Sequence, residues 1–195
     1  MQSNIEIEAK VLLTKEQYMN LLKYLHLERY KKIEQTNHYI DSTTRVLKKS
    51  DIALRIRENN DFVLTLKTPL SEGLLEKNQS ITWREYADLD DNGIFPQGDI
   101  KNFLEICGFN TRELKVLASL KTSRIELELD DGVLCLDENI YGPNNSIIDY
   151  ELEVEATSME KAEETAKKIL KEVGIEDFKF NTHSKQARAI SAIKL

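Results

Sequence analysis

Four short stretches of this chain alternate charged and apolar residues with a period of two, and the charges are of kinds that do chemistry together. Glu6, Glu8 and Lys10 alternate with Ile5, Ile7, Ala9 and Val11; Glu151, Glu153 and Glu155 alternate with Leu152, Val154 and Ala156. Between them lie the basic alternations Arg55-Ile56-Arg57 and Thr65-Leu66-Lys67. In an extended strand, successive side chains point to opposite faces, so each stretch carries a charged face and an apolar one. Carboxylates two residues apart stand roughly 7 Å apart. Their repulsion is below about 1 kcal/mol in water and about 2 kcal/mol at an effective dielectric near 20. Any one such ladder belongs on a solvated sheet face. Two acidic and two basic ladders in one small chain fit an interior that holds cations and a polyanion.

These ladders must be positioned by a fold of many strands. A capping box at Thr14 and Gln17, followed by Tyr18, Leu21, Leu22 and Leu25, predicts a helix to about Arg29. Strands are expected over 33–40, 52–58, 62–68 and 79–86, with a turn at Asn59-Asn60-Asp61 and a loop over 69–78. Ile100, Phe103, Leu104 and Cys107 mark a second helix that stops at Gly108. Strands follow over 114–118, 122–129, 133–138 and 147–156, the middle pair joined by Asp130-Asp131-Gly132. Thr157 and Glu160 open a third helix ending at Gly174, and a short helix begins near Ser184. The expected fold class is α+β: antiparallel strands closing into a barrel, which removes sheet edges, with flanking helices.

Length and composition narrow the function. The 195 residues fit one domain spanning 1–195, with no repeat or linker. Hydrophobic content of 41% and charged content of 31% describe a globular chain. A net charge of −7 argues against a general nucleic-acid binder but permits a local basic pocket. No apolar run approaches a membrane span, and the first residues lack the pattern of a secretory signal, so the expected location is cytoplasmic and no membrane partner is expected. Cys107 and Cys135 lack metal-ligand spacing and read as reduced core residues. A homodimer is left open.

In order along the chain, these motifs closely resemble the CYTH family, also called triphosphate tunnel metalloenzymes. The resemblance rests on Glu6-x-Glu8-x-Lys10, Tyr39-x-Asp41, Leu54-Arg55-Ile56-Arg57, Leu64-Thr65-Leu66-Lys67, Arg124, Asp137, Glu151-x-Glu153-x-Glu155, and Ser184-Lys185 with Arg188. It implies a closed eight-stranded antiparallel β-barrel forming a tunnel. It also implies one or two divalent ions, Mg²⁺ or Mn²⁺, held by acidic residues, and a small-molecule triphosphate gripped by basic ones. On that resemblance Glu6, Glu8, Asp137, Glu151 and Glu153 are the metal candidates, with Glu155 at the rim or behind them. Lys10, Arg55, Arg57, Lys67, Arg124 and Lys185 are the phosphate candidates, and Glu6, Glu8, Lys10 and Glu153 the catalytic set. Arg bridges phosphate oxygens bidentately, Lys acts as a point charge, and hard divalent ions take oxygen ligands.

The function that follows is a metal-dependent triphosphatase acting on inorganic triphosphate or a small organic triphosphate. Adenylate cyclase chemistry and non-catalytic polyphosphate or nucleotide binding are the alternatives; a barrel for an apolar ligand would need the charged ladders to face outward. Lys121 and Arg124 are three apart, so one faces inward, and Arg124 shares parity with Glu126 and Glu128. Arg84 and Glu85 are left out of the site. His38, His26, His183 and Trp83 are given no functional role, and Tyr39 and Asp41 are balanced between orienting a basic side chain and ordinary sheet and turn duties.

Overall fold

The computed structural model describes residues 2–193. Nine strands form one antiparallel sheet: β1 (Gln2–Glu6), β2 (Glu8–Leu13), β3 (Ile33–Asp41), β4 (Ala53–Glu58), β5 (Phe62–Pro69), β6 (Leu74–Ile81), β7 (Lys115–Leu129), β8 (Gly132–Tyr141) and β9 (Ile147–Ala156). Their hydrogen-bonded order is β1-β6-β5-β4-β3-β7-β8-β9-β2. A closed eight-stranded barrel is therefore not what forms, because β1 and β2 are the two edges of the sheet and do not pair with each other. The reason lies in the first acidic ladder. Its charge alternation runs unbroken, but the backbone changes partner at Ile7: Glu6 pairs with Leu74 of β6, and Glu8 with Glu155 of β9. One residue thus joins opposite edges of a strongly curled sheet. Gly73, at φ +75°, permits this, since a Cβ there would lie 2.5 Å from the Glu6 carbonyl oxygen.

Helices cover the convex face. α1 (Lys15–Tyr24), held by the expected Thr14–Gln17 capping box, and α4 (Met159–Glu172), capped by Ser158, pack with β2, β7, β8 and β9 around Tyr18, Leu21, Leu134, Leu152, Val154 and Ala166. α2 (Trp83–Asn92) and α3 (Asp99–Ile106) close a second core with Leu54, Ile56, Leu64, Leu66, Leu89 and Leu104. Leu54 and Ile56 are fully buried there, which turns Arg55 and Arg57 to the concave side.

Four local expectations are corrected. The strand expected over 79–86 ends at Ile81, because Thr82 and Glu85 form a second capping box that starts α2. The stretch 69–78 is not all loop, since β6 begins at Leu74. The two strands expected over 114–129 are one fifteen-residue strand, β7. Cys107, expected in the core, is exposed at the end of α3, whereas Cys135 is buried.

The last helix, α5 (Lys185–Ala192), differs from the others in covering the concave face. Ser184 caps it, and its Ala189 and Ile190 pack on Tyr39, Ala118, Leu120 and Tyr141. Arg188 fastens it to β9, donating to Asp149 at 3.0 Å and to both oxygens of Glu151 at 3.1 and 2.8 Å. Removing one member of a buried pair leaves the other charge uncompensated. Arg188→Met should therefore lower stability by roughly 3 kcal/mol in urea unfolding and speed amide exchange along α5. Unchanged exchange in α5 would mean that its apolar face alone holds it.

Candidate active site

The concave face encloses a cavity of about 120 Å³ lined from β1 to β7, β9 and α5. Of the residues expected there, Glu6, Glu8, Lys10, Arg55, Arg57, Lys67, Arg124, Glu153 and Lys185 all line it. Asp137 and Glu151, both fully buried, lie behind this lining and meet Lys185. Six cationic side chains thus face three carboxylates in the lining, with Asp137 and Glu151 directly behind Lys185.

The carboxylates fall into two groups with different company. Asp137, Glu151 and Glu153 offer oxygens within 4.8 Å of one another, and each is already met by cations. Arg124 grips Asp137 bidentately, Nε to Oδ1 at 2.8 Å and Nη2 to Oδ2 at 2.7 Å, and also pairs with Glu153. Lys185 Nζ lies 2.8 Å from Asp137 and 2.9 Å from Glu151, and bonds Glu153. Burial pushes the Glu153 carboxyl up, but Lys185, Arg124 and Lys10 outweigh it and hold that group well below the usual carboxylate range. Burial works against the charged form of Lys185 too, and Asp137, Glu153 and Glu151 overcome it, keeping the ammonium charged.

The second group is Glu6, Glu8 and Glu155, again within 4.8 Å. Glu6 pairs with Lys67 and Glu8 with Lys10. Glu155 has no cation within ion-pair distance among the described residues. Burial, then the neighbouring Glu8 and Glu6, push its carboxyl up to about 7. Burial and Glu153 also raise Glu8, against the pull of Lys10. Three carboxylates with too little positive charge among them suit a hard divalent cation with oxygen ligands. The first group suits one less, because Arg124, Lys185 and Arg188 already occupy its oxygens.

On β4 the imbalance is reversed. Arg55 and Arg57 have no carboxylate at ion-pair distance among the described residues, feeling Glu76 only at longer range, and Arg55 Nε is buried without a hydrogen bond. Burial and then the like charge of Arg55 push the Arg57 guanidinium down. Lys67, by contrast, is shared between Glu6 and Glu76, the latter at 3.1 Å.

Other expectations resolve around this centre. Arg124 faces inward and Lys121 is exposed. Tyr39 lines the cavity, while Asp41 builds the following turn, accepting from the backbone N–H groups of Ser42, Leu47 and Lys48. His38 has opposite parity and joins Ser119 at 2.8 Å and Glu58 at 3.1 Å away from the cavity. Trp83 sits on α2 and is exposed. Sequence reasoning passed over Glu76 and the lining residues Gln35 and Asn37. The alternation of Glu76 with Asn78 was the available signal for β6, masked by the Gly73 turn.

Comparison with known proteins agrees with this arrangement. The CYTH domain matches residues 4–186. YjbK of Bacillus subtilis (strain 168), provisionally named a triphosphatase, is 36% identical over 176 residues, covering 90% of each chain. A Bacillus halodurans structure, provisionally described as an adenylate cyclase, superposes with a TM-score of 0.86 at 38% identity, covering 96% of this chain and 98% of that one. HpAC1 of Hippeastrum, a provisional adenylyl cyclase described as having dominant triphosphatase activity, gives a TM-score of 0.75 at 25% identity over 98% of both chains. With its ordered motifs brought to one cavity and the domain match running nearly end to end, this chain belongs to the CYTH domain family.

Proposed function

We propose that this protein hydrolyses inorganic triphosphate or a small organic triphosphate, with a divalent cation bound at Glu6, Glu8 and Glu155. The observation that carries the reading is a paired imbalance: two guanidiniums in the cavity with no carboxylate at ion-pair distance, and a carboxylate trio short of cations, Glu6 and Glu8 of the lining with Glu155 next to them. Unpaired charge in a protein interior is costly, so both ends call for a ligand. A metal-chelated polyphosphate carries both missing signs. The dominant triphosphatase activity described for HpAC1 and the name of YjbK support hydrolysis over cyclisation.

Within this reading each residue has a task. Arg55 and Arg57 hold terminal phosphoryl oxygens, their planar forks matching oxygen pairs. Lys10 and Lys67 line the cavity beside Glu8 and Glu6, each paired with one of them, and so offset those carboxylates' repulsion of the incoming polyanion. Arg124 and Lys185 stay charged through Asp137, Glu151 and Glu153, giving the phosphate chain fixed positive charge that needs no reorganisation. Held by Glu6, Glu8 and Glu155, a divalent cation would supply neutralisation of phosphoryl charge and activation of water. Asp137, Glu151 and Glu153 serve the metal as well only if Lys185 gives way, so the centre we favour is narrower than the full acidic set. We also propose that the metal is Mg²⁺ or Mn²⁺ and that the protein works in the cytoplasm, a reading supported by its two unpaired cysteines.

The test is phosphate release from inorganic triphosphate, thiamine triphosphate, ATP and longer polyphosphate with either metal, assaying cyclic AMP in the ATP reaction. Release from at least one triphosphate is expected; cyclic AMP as the main product would replace the reading with a cyclase. Glu8→Gln keeps the side-chain shape but removes the charge a hard cation needs. It should cut kcat/KM by about 100-fold or more at limiting metal with the melting temperature kept. Near-normal turnover would remove Glu8 from the metal centre. Arg57→Ala should weaken inorganic triphosphate binding by about tenfold, and diphosphate by less, since the longer anion engages more cations. Equal losses for the two anions in a titration would argue against that role.

A further inference from the structure

Asn37 on β3 is 1% exposed and lines the cavity, yet neither its Oδ1 nor its Nδ2 has a hydrogen-bond partner among the described residues. Three other side-chain amides near the site are engaged. Asn78 accepts from Thr65 and donates to Glu76; Asn139 accepts from Thr122 and donates to Asp149; Asn181 donates to Glu151. A buried amide without partners is costly, and native proteins rarely keep one without a use.

Its place supplies the use. Asn37 stands directly opposite Arg57 in the β3–β4 register, and Tyr39, the next inward residue, stands opposite Arg55. The amide thus shares a wall with the two guanidiniums that have no carboxylate at ion-pair distance. A third cation there would add like-charge repulsion, and a carboxylate would quench Arg57. A neutral donor does neither.

We propose that Asn37 is a further substrate-binding residue: Nδ2 donates to a phosphoryl oxygen held by Arg57, and Oδ1 accepts from a water hydrating the same phosphoryl group. Phosphoryl oxygens accept hydrogen bonds and do not donate, so one end of the amide matches the anion and the other matches water. The proposal rests on the triphosphate reading above, and the test separates the two.

Affinity for inorganic triphosphate with Mg²⁺ is measured by calorimetry, alongside kcat/KM, for Asn37→Thr, Asn37→Val and Asn37→Asp. Thr and Val have the same branched shape and differ in the hydroxyl, so a packing defect affects both. Thr should stay within about threefold of the wild type, Val should lose about tenfold, and Asp should lose more, through its pairing with Arg57. Thr and Val binding equally well, or Val matching the wild type, would overturn the proposal. A wild type that binds triphosphate without hydrolysing it would defeat the hydrolase reading and leave the affinity ranking decisive for Asn37. A wild type that binds none would overturn both.

Discussion

Charges of both signs share the interior of this protein because Lys185 reaches three buried carboxylates at once. Asp137, Glu151 and Glu153 come from two adjacent strands, and without a cation their mutual repulsion in a low-dielectric site would be costly. Arg124 completes the neutralisation from β7 and Arg188 from α5. The network does more than cancel charge. It holds α5 across the concave face, fixes Arg124 in a bidentate geometry, and keeps Glu153 ionised at the boundary between satisfied and unsatisfied halves of the site.

That boundary is where function begins. Buried ion pairs contribute little net stability, so a protein that keeps this many has them for placement rather than for folding energy. Here the satisfied pairs surround two places that are left wanting: the Glu6, Glu8 and Glu155 trio, and the Arg55, Arg57 and Asn37 wall. The sheet order sets these apart, with β3 and β4 in the middle of the ladder and β1 and β2 at its edges. On the proposed function, a ligand with cation at one end and anion at the other would be held between them, meeting the unmatched charge of both.

The period of two made most of this readable from the sequence. Leu54 and Ile56 had to be buried, so Arg55 and Arg57 had to face the other way, and the same logic placed Glu151, Glu153 and Arg124. What period could not show was where a strand changes partner. Glu6 and Glu8 share one unbroken alternation, yet they belong to opposite edges of the sheet, because pairing is decided by the backbones of β6 and β9 rather than by the segment itself. Local signals also competed: Thr82 and Glu85 capped a helix where Tyr86 and Trp83 favoured a strand. Asn37 was invisible for another reason. An amide in a strand carries no charge pattern, and its want of partners exists only in three dimensions.

Calorimetric titration of inorganic triphosphate into the metal-stripped protein, with and without Mg²⁺, tests the central claim most directly. The account predicts one triphosphate per chain, with affinity that rises steeply when the metal is present and exceeds that for orthophosphate. Binding equally tight without the metal, or no preference for triphosphate over orthophosphate, would contradict it.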